Sequence, residues 1–125
     1  MGTRSLVSVV DDDESVRESL PDLLRQLGFA AQTFSSAASF LESGAVHDTS
    51  CLILDIAMPG MSGTALYDEL RRRRQEVPVV FITAHNDETV RSNLLARGAV
   101  ECLFKPFSDT ALHDAITTAL RRNAT

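Results

Sequence analysis

Cys51-Leu52-Ile53-Leu54-Asp55 and Val79-Val80-Phe81-Ile82-Thr83 are two short, continuous apolar runs, each closed by a single polar residue. A half-buried strand alternates apolar and polar residues, whereas a strand covered by helices on both faces is apolar throughout. These two runs therefore read as the central strands of a parallel sheet. Leu6 to Val10, Phe29 to Phe34 and Val100 to Phe104 complete a set of five runs.

Stretches of helical period separate them. Val16, Leu20, Leu23, Leu24 and Leu27 share one helical face, and Gly28 follows where a helix end often needs a left-handed residue. Pro21 interrupts this segment and is expected to kink it. Leu112, Ile116 and Leu120 recur at intervals of four, with Ser108 or Asp109 as the cap. Two intermediate helices fall near Thr64 to Arg74 and Asp87 to Arg97. Five strand and helix pairs predict an α/β fold, a doubly wound, flavodoxin-like parallel sheet of order 2-1-3-4-5. The 125 residues fit one domain, 1–125, with its core from about 5 to 121.

Composition narrows the function. Apolar residues make up 44% and charged residues 23%, so a packed core is expected. The net charge of -5 lacks the basic excess of a sequence-independent nucleic-acid binder. No apolar run approaches the roughly 18 residues needed to span a bilayer. The segment Met1 to Leu6 has no signal-peptide core, and Leu6 defeats a myristoylation pattern. Cys51 and Cys102 lie inside apolar runs, as buried thiols do, and a reducing cytoplasm is the natural compartment.

Function in such a sheet gathers at the carboxyl ends of the strands, near the switch point. There the sequence places Asp11-Asp12-Asp13-Glu14, Asp55, Thr83 and Lys105-Pro106. Asp13 and Glu14 read as helix-capping groups. Asp11, Asp12 and Asp55 would repel one another without a cation, and an all-oxygen set suits Mg²⁺ with a phosphoryl group. Lys105 and Thr83 can then partner phosphoryl oxygens, and Asp55, centrally placed, is the candidate nucleophile.

With these residues in view, the chain resembles the response-regulator receiver family from Leu6 to about Leu120. The resemblance rests on Val10-Asp11-Asp12, Leu54 to Gly63, Ile82-Thr83-Ala84-His85 and Lys105-Pro106-Phe107. It implies that Asp55 accepts a phosphoryl group from a histidine kinase, and that Mg²⁺ is held by Asp12, Asp55 and the Ala57 carbonyl. Asp11 would act through a metal-bound water, Thr83 and Lys105 would engage the phosphoryl group, and the Lys105-Pro106 bond would be cis. The signal would leave through the helix at Asp87 to Arg97, the run Val100 to Phe104 and the last helix, towards an output domain or partner, with a phosphorylation-dependent homodimer among the expected assemblies. The motifs resemble regulators with a C-terminal helix-turn-helix domain. Since the sequence stops at Arg121-Arg122-Asn123-Ala124-Thr125, it reads as a single-domain regulator or a receiver cut from a longer protein.

One departure concerns the aromatic residue that the family places three before the lysine; here it is Cys102. Phe104 is expected to face away from Cys102, which puts the usual aromatic toggle in question. His85 could be read as a metal ligand but has no partner at ligand spacing, and Arg71 to Arg74 read as a solvated helix end. His47 and His113 carry no signal. A haloacid-dehalogenase-like phosphohydrolase would need a second Asp where Ala57 stands. A nucleotide enzyme would need a GxxxxGK[ST] or GxGxxG loop, and neither occurs. The remaining rival is an interaction module that works without phosphorylation.

Overall fold

The computed structural model describes residues 4–123; Met1-Gly2-Thr3, read above for a signal or acylation pattern, and Ala124-Thr125 lie outside the described residues. Five strands, β1 (Leu6–Val10), β2 (Ala30–Phe34), β3 (Cys51–Asp55), β4 (Val79–Thr83) and β5 (Glu101–Phe104), form one sheet. All pairings are parallel and the order is β2-β1-β3-β4-β5, as the apolar runs predict. Every residue of β3 and β4 is buried, the consequence of helices on both faces.

The helices are α1 (Glu14–Gln26), α2 (Ala37–Ser43), α3 (Gly63–Arg72), α4 (Glu88–Ala96) and α5 (Asp109–Asn123). Their ends follow local chemistry. The Asp13, Ser36, Ser62 and Asp87 side chains accept the first orphan N–H groups of α1 to α4. Ser108 takes the same part for α5, accepting from the Ala111 N–H at 3.0 Å. Gly28 stands at φ 101° past the end of α1, where its N–H donates to the Arg25 carbonyl and that of Phe29 to Leu24. Pro21 does not end α1. It removes a single bond, the one that would reach the Arg17 carbonyl, and its ring is buried.

Strand alternation divides the core into two layers. Val10, Leu52, Leu54, Phe81 and Cys102 face α2, α3 and α4, meeting Phe40, Leu66, Leu70 and Leu94. Val7, Val9, Ile53, Val80 and Ile82 face α1 and α5, meeting Leu20, Leu24, Leu112 and Ile116. Phe104 packs on the Cys102 layer and Leu103 on the other. This corrects the expected orientation of Phe104: residues two apart on a strand share a face, so Phe104 and Cys102 point the same way.

Cys51 and Cys102 are free and buried, and burial pushes their thiols up to about 12 and about 11. The reactive thiolate is thereby suppressed. Both are expected to resist iodoacetamide in the native protein over a time in which the denatured chain is fully alkylated. Rapid native labelling, read by mass, would contradict that burial.

Candidate functional site

Two neighbouring central strands, β1 and β3, end in the carboxylates that define the site. Val10 pairs with Leu54, so the next residues, Asp11 and Asp55, leave the sheet side by side. On the other side Asp55 is in register with Ile82, which sets Thr83 one step further along β4. Thr83 in turn pairs with Phe104, and Lys105 follows. The parallel register therefore brings the polar ends of four separate apolar runs to one edge of the sheet.

Asp11 is fully buried and held on three sides. Its N–H donates to the Phe34 carbonyl at 3.1 Å, its Oδ1 accepts from the Asp13 N–H at 2.9 Å, and its Oδ2 accepts from Lys105 Nζ at 3.0 Å. Lys105 Nζ also lies 3.7 Å from Asp55 Oδ1. Asp12 is exposed, and among the described residues its carboxylate has no hydrogen bond or ion pair. Carboxylate oxygens of Asp11, Asp12 and Asp55 nevertheless all fall within 4.8 Å of one another.

That crowding has an electrostatic result. Burial, then the Asp11 charge, push the Asp55 carboxyl up from 3.8 to about 6, against the pull of Lys105. Burial works against the Lys105 charge, but its hydrogen bond to Asp11 and the charges of Asp11 and Asp55 outweigh it, so its pKa is raised. Lys105 is the only lysine in the chain and stays protonated here. Three carboxylates with one ammonium leave the crevice negative, ready for a further cation.

Thr83 is buried, and its Oγ1 accepts from the His85 N–H at 3.0 Å. Its own hydroxyl proton remains available to donate. His85 is exposed and, among the described residues, belongs to no cluster of three or more potential metal ligands. Ala57 follows β3 on the exposed turn before α3, and the Lys105-Pro106 peptide is cis.

Two further residues shape this edge without a signal in the sequence. Gly63 opens α3 with its N–H bonded to the Ile56 carbonyl at 2.9 Å, and a Cβ there would sit 2.1 Å from the Asp55 carbonyl oxygen. Arg17, on the second turn of α1, donates from Nη1 to the Asp11 carbonyl at 3.0 Å.

A separate cleft of about 640 Å³ lies at the opposite end of the sheet, beside Tyr67, Arg71, Arg97 and Arg122. There Arg71 donates to the Arg97 carbonyl and Arg122 to that of Gly98, so these cations serve the C-terminal end of α4. Arg72 and Arg73 bond to Glu69 and hold its carboxyl down to about 2. The arginine run is largely engaged in local pairing at helix ends.

The fold and its acidic, lysine-bridged edge define a doubly wound α/β protein with a charged crevice at its switch point. The sequence matches the response regulator receiver domain family over residues 7–117, and the chain belongs to that family. It is 41% identical over 121 residues to nodulation protein W of Bradyrhizobium diazoefficiens, covering 97% of this chain and 53% of that protein. It is also 41% identical over 118 residues to the transcriptional regulatory protein FixJ of Azorhizobium caulinodans, covering 94% and 56%. Among solved structures, the response regulator StyR superposes with a TM-score of 0.89 at 47% identity, over 98% of this chain and 62% of that one. The FixJ-N structure superposes at 0.84 and 36% identity, over 97% and 96%. The chain spans about half the length of the curated relatives it matches.

Proposed function

We propose that this receiver domain is a switch in which Asp55 accepts a phosphoryl group from a phosphohistidine on a partner histidine kinase. The observation that carries the reading is the buried Asp55 carboxylate, clustered with Asp11 and Asp12 and lying 3.7 Å from the Lys105 ammonium.

An Asp55 oxygen bonds to phosphorus as the bond from phosphorus to the donor imidazole nitrogen breaks, and the imidazole leaves. With its pKa raised to about 6, the attacking carboxylate is ionised above about pH 6 and is more basic than an exposed aspartate. Lys105 neutralises one phosphoryl oxygen and Thr83 donates its free hydroxyl proton to another. The cluster fits Mg²⁺: its donors are all oxygens, and Lys105 offsets only part of their charge. Asp12, Asp55 and the Ala57 carbonyl would hold the ion, with Asp11 acting through a water. When bound, it would neutralise charge on the transferring phosphoryl group.

Phosphorylation replaces the single negative charge of the Asp55 carboxylate with a phosphoryl group carrying about -1.5 to -2, beside Thr83. Thr83 is tied through His85 to the loop before α4, a helix in which only Leu94 is buried. Arg91 links α4 to β5 through the Glu101 carboxylate and the Cys102 carbonyl. The α4/β5/α5 face therefore relays the state, to a DNA-binding output domain, another partner or a second copy in a homodimer. Phe104 supplies an aromatic side chain on the same face as Cys102, two residues along the strand. Among the described residues no helix is long and apolar enough to cross a membrane, and the two free thiols suit a reducing cytoplasm.

The direct test is intact mass after incubation with acetyl phosphate. A gain of one phosphoryl group is expected only with Mg²⁺ present, and not in Asp55→Asn. No gain in the native chain, with a cognate kinase also failing, would leave the phosphorylation-independent interaction module as the better reading.

A further inference from the structure

Asp11 and Asp12 are adjacent in sequence but held very differently. Asp11 is fixed through its N–H and both carboxylate oxygens. Asp12 makes no side-chain hydrogen bond or ion pair among the described residues, so the backbone it projects from is its structural anchor. The peptide joining the two residues carries the Asp11 carbonyl, and that carbonyl accepts the Arg17 guanidinium N–H at 3.0 Å.

Acidic groups are plentiful around Arg17, with Asp12, Asp13 and Glu14 all close in sequence. Yet among the described residues Arg17 forms no ion pair with any of them, and its bond goes to a neutral carbonyl. It is half-buried, and its helix is anchored by the Asp13 cap and by the Arg17 N–H donating to the Asp13 carbonyl at 3.2 Å. The guanidinium thus ties the second turn of α1 back to the peptide from which Asp12 projects.

We propose that Arg17 is a positioning residue for the divalent-ion site, fixing the Asp11–Asp12 peptide so that the Asp12 carboxylate stays aimed at the cluster. This rests on the reading in which Asp12 ligates Mg²⁺. Positioning and charge act here with opposite signs. A fixed cation near a cation site opposes loading, so removing its charge alone would tighten Mg²⁺ binding. Losing the tether loosens a ligand and weakens binding.

Mg²⁺ alone is the probe, titrated without phosphodonor and followed by the backbone amide shifts of Asp13 and Asp55. The native chain is compared with Arg17→Met, which keeps the apolar stem, and Arg17→Lys, which keeps charge and a donor. Arg17→Met is expected to weaken Mg²⁺ binding about tenfold, the scale of a lost outer-shell contact, and Arg17→Lys to recover most of it. In the metal-free protein, amide order parameters at Asp12 and Asp13 should fall in Arg17→Met and be restored in Arg17→Lys. If Arg17→Met does not fold, Arg17→Gln carries the same expectation, since it removes the charge and shortens the reach. Equal or tighter Mg²⁺ binding by the charge-free variant, beside normal binding by the native chain, overturns this proposal alone. No Mg²⁺-dependent shifts in the native chain overturn it together with the metal reading it rests on.

Discussion

Gly63→Ala is expected to destabilise the protein by about 3 kcal/mol and to slow phosphoryl uptake at Asp55, because the new methyl group has nowhere to go. Its Cβ would lie 2.1 Å from the Asp55 carbonyl oxygen, 2.9 Å from the Asp55 carbonyl carbon and 3.0 Å from the Ile56 Cα. All three are backbone atoms, so no side chain can rotate aside. Relief requires moving either the first turn of α3 or the end of β3. The first breaks the Gly63 N–H bond to the Ile56 carbonyl, and the second displaces Asp55, the proposed phosphoacceptor. Denaturant melts should show a lower midpoint, and at a temperature where the variant is still folded its acetyl phosphate reaction should remain slow. A variant as stable and as fast as the native chain would mean that the approach of α3 to β3 is not tight in solution.

Gly63 also shows where reading the sequence stops. It closes the stretch Leu54 to Gly63, and the only local hint is a poor helix former directly after a good Ser cap, where alanine would suit the helix better. That the helix start presses on the Asp55 peptide follows only from tertiary packing. Arg17 is similar: along the sequence it is one more polar residue on an amphipathic helix, and its bond to a carbonyl six residues earlier depends on how its side chain folds back. Asp11, Asp12, Asp55, Thr83 and Lys105 were legible for the opposite reason. Each ends or follows an apolar run, and in a parallel sheet those ends share an edge whatever the side chains do.

The central strands are equally legible, since four consecutive apolar residues closed by a polar one admit few other readings in a chain of this composition. The helix between β2 and β3 has no bounds that the sequence pattern marks. Its seven residues sit in Ser35 to Ser50, a stretch rich in Ser and Ala, and only Ala37 and Phe40 are buried. Too little period survives in two residues to locate a helix. Phe104 failed on parity rather than on physics: alternation separates neighbours and reunites residues two apart, and Leu103 is the residue that faces away from Cys102.

Asp55→Asn is expected to raise the stability of the metal-free protein above pH 6 by roughly 2 to 3 kcal/mol, while abolishing phosphoryl uptake. The sign follows from the direction of the Asp55 shift. Its carboxyl titrates at about 6 in the folded protein against 3.8 ordinarily, so between those values the folded chain binds the proton more tightly than the unfolded chain. Stability then falls as pH rises through this window, and the full loss is present above about pH 6. An amide cannot ionise and escapes the loss, while Lys105 keeps its bond to Asp11. The advantage of the variant should shrink as pH falls and be nearly gone below about pH 4, where the carboxyl is protonated in the folded and the unfolded chain alike. Adding Mg²⁺ at neutral pH should stabilise the native chain and narrow the gap, because the ion relieves the repulsion that the substitution removes. Paired denaturant melts at pH 4, 5, 6 and 7.5, with and without Mg²⁺, measure this. A native chain as stable as Asp55→Asn at pH 7.5 without metal would show that Lys105 already offsets the crowding of Asp11, Asp12 and Asp55, and the case for a further cation at the site would lose its electrostatic basis.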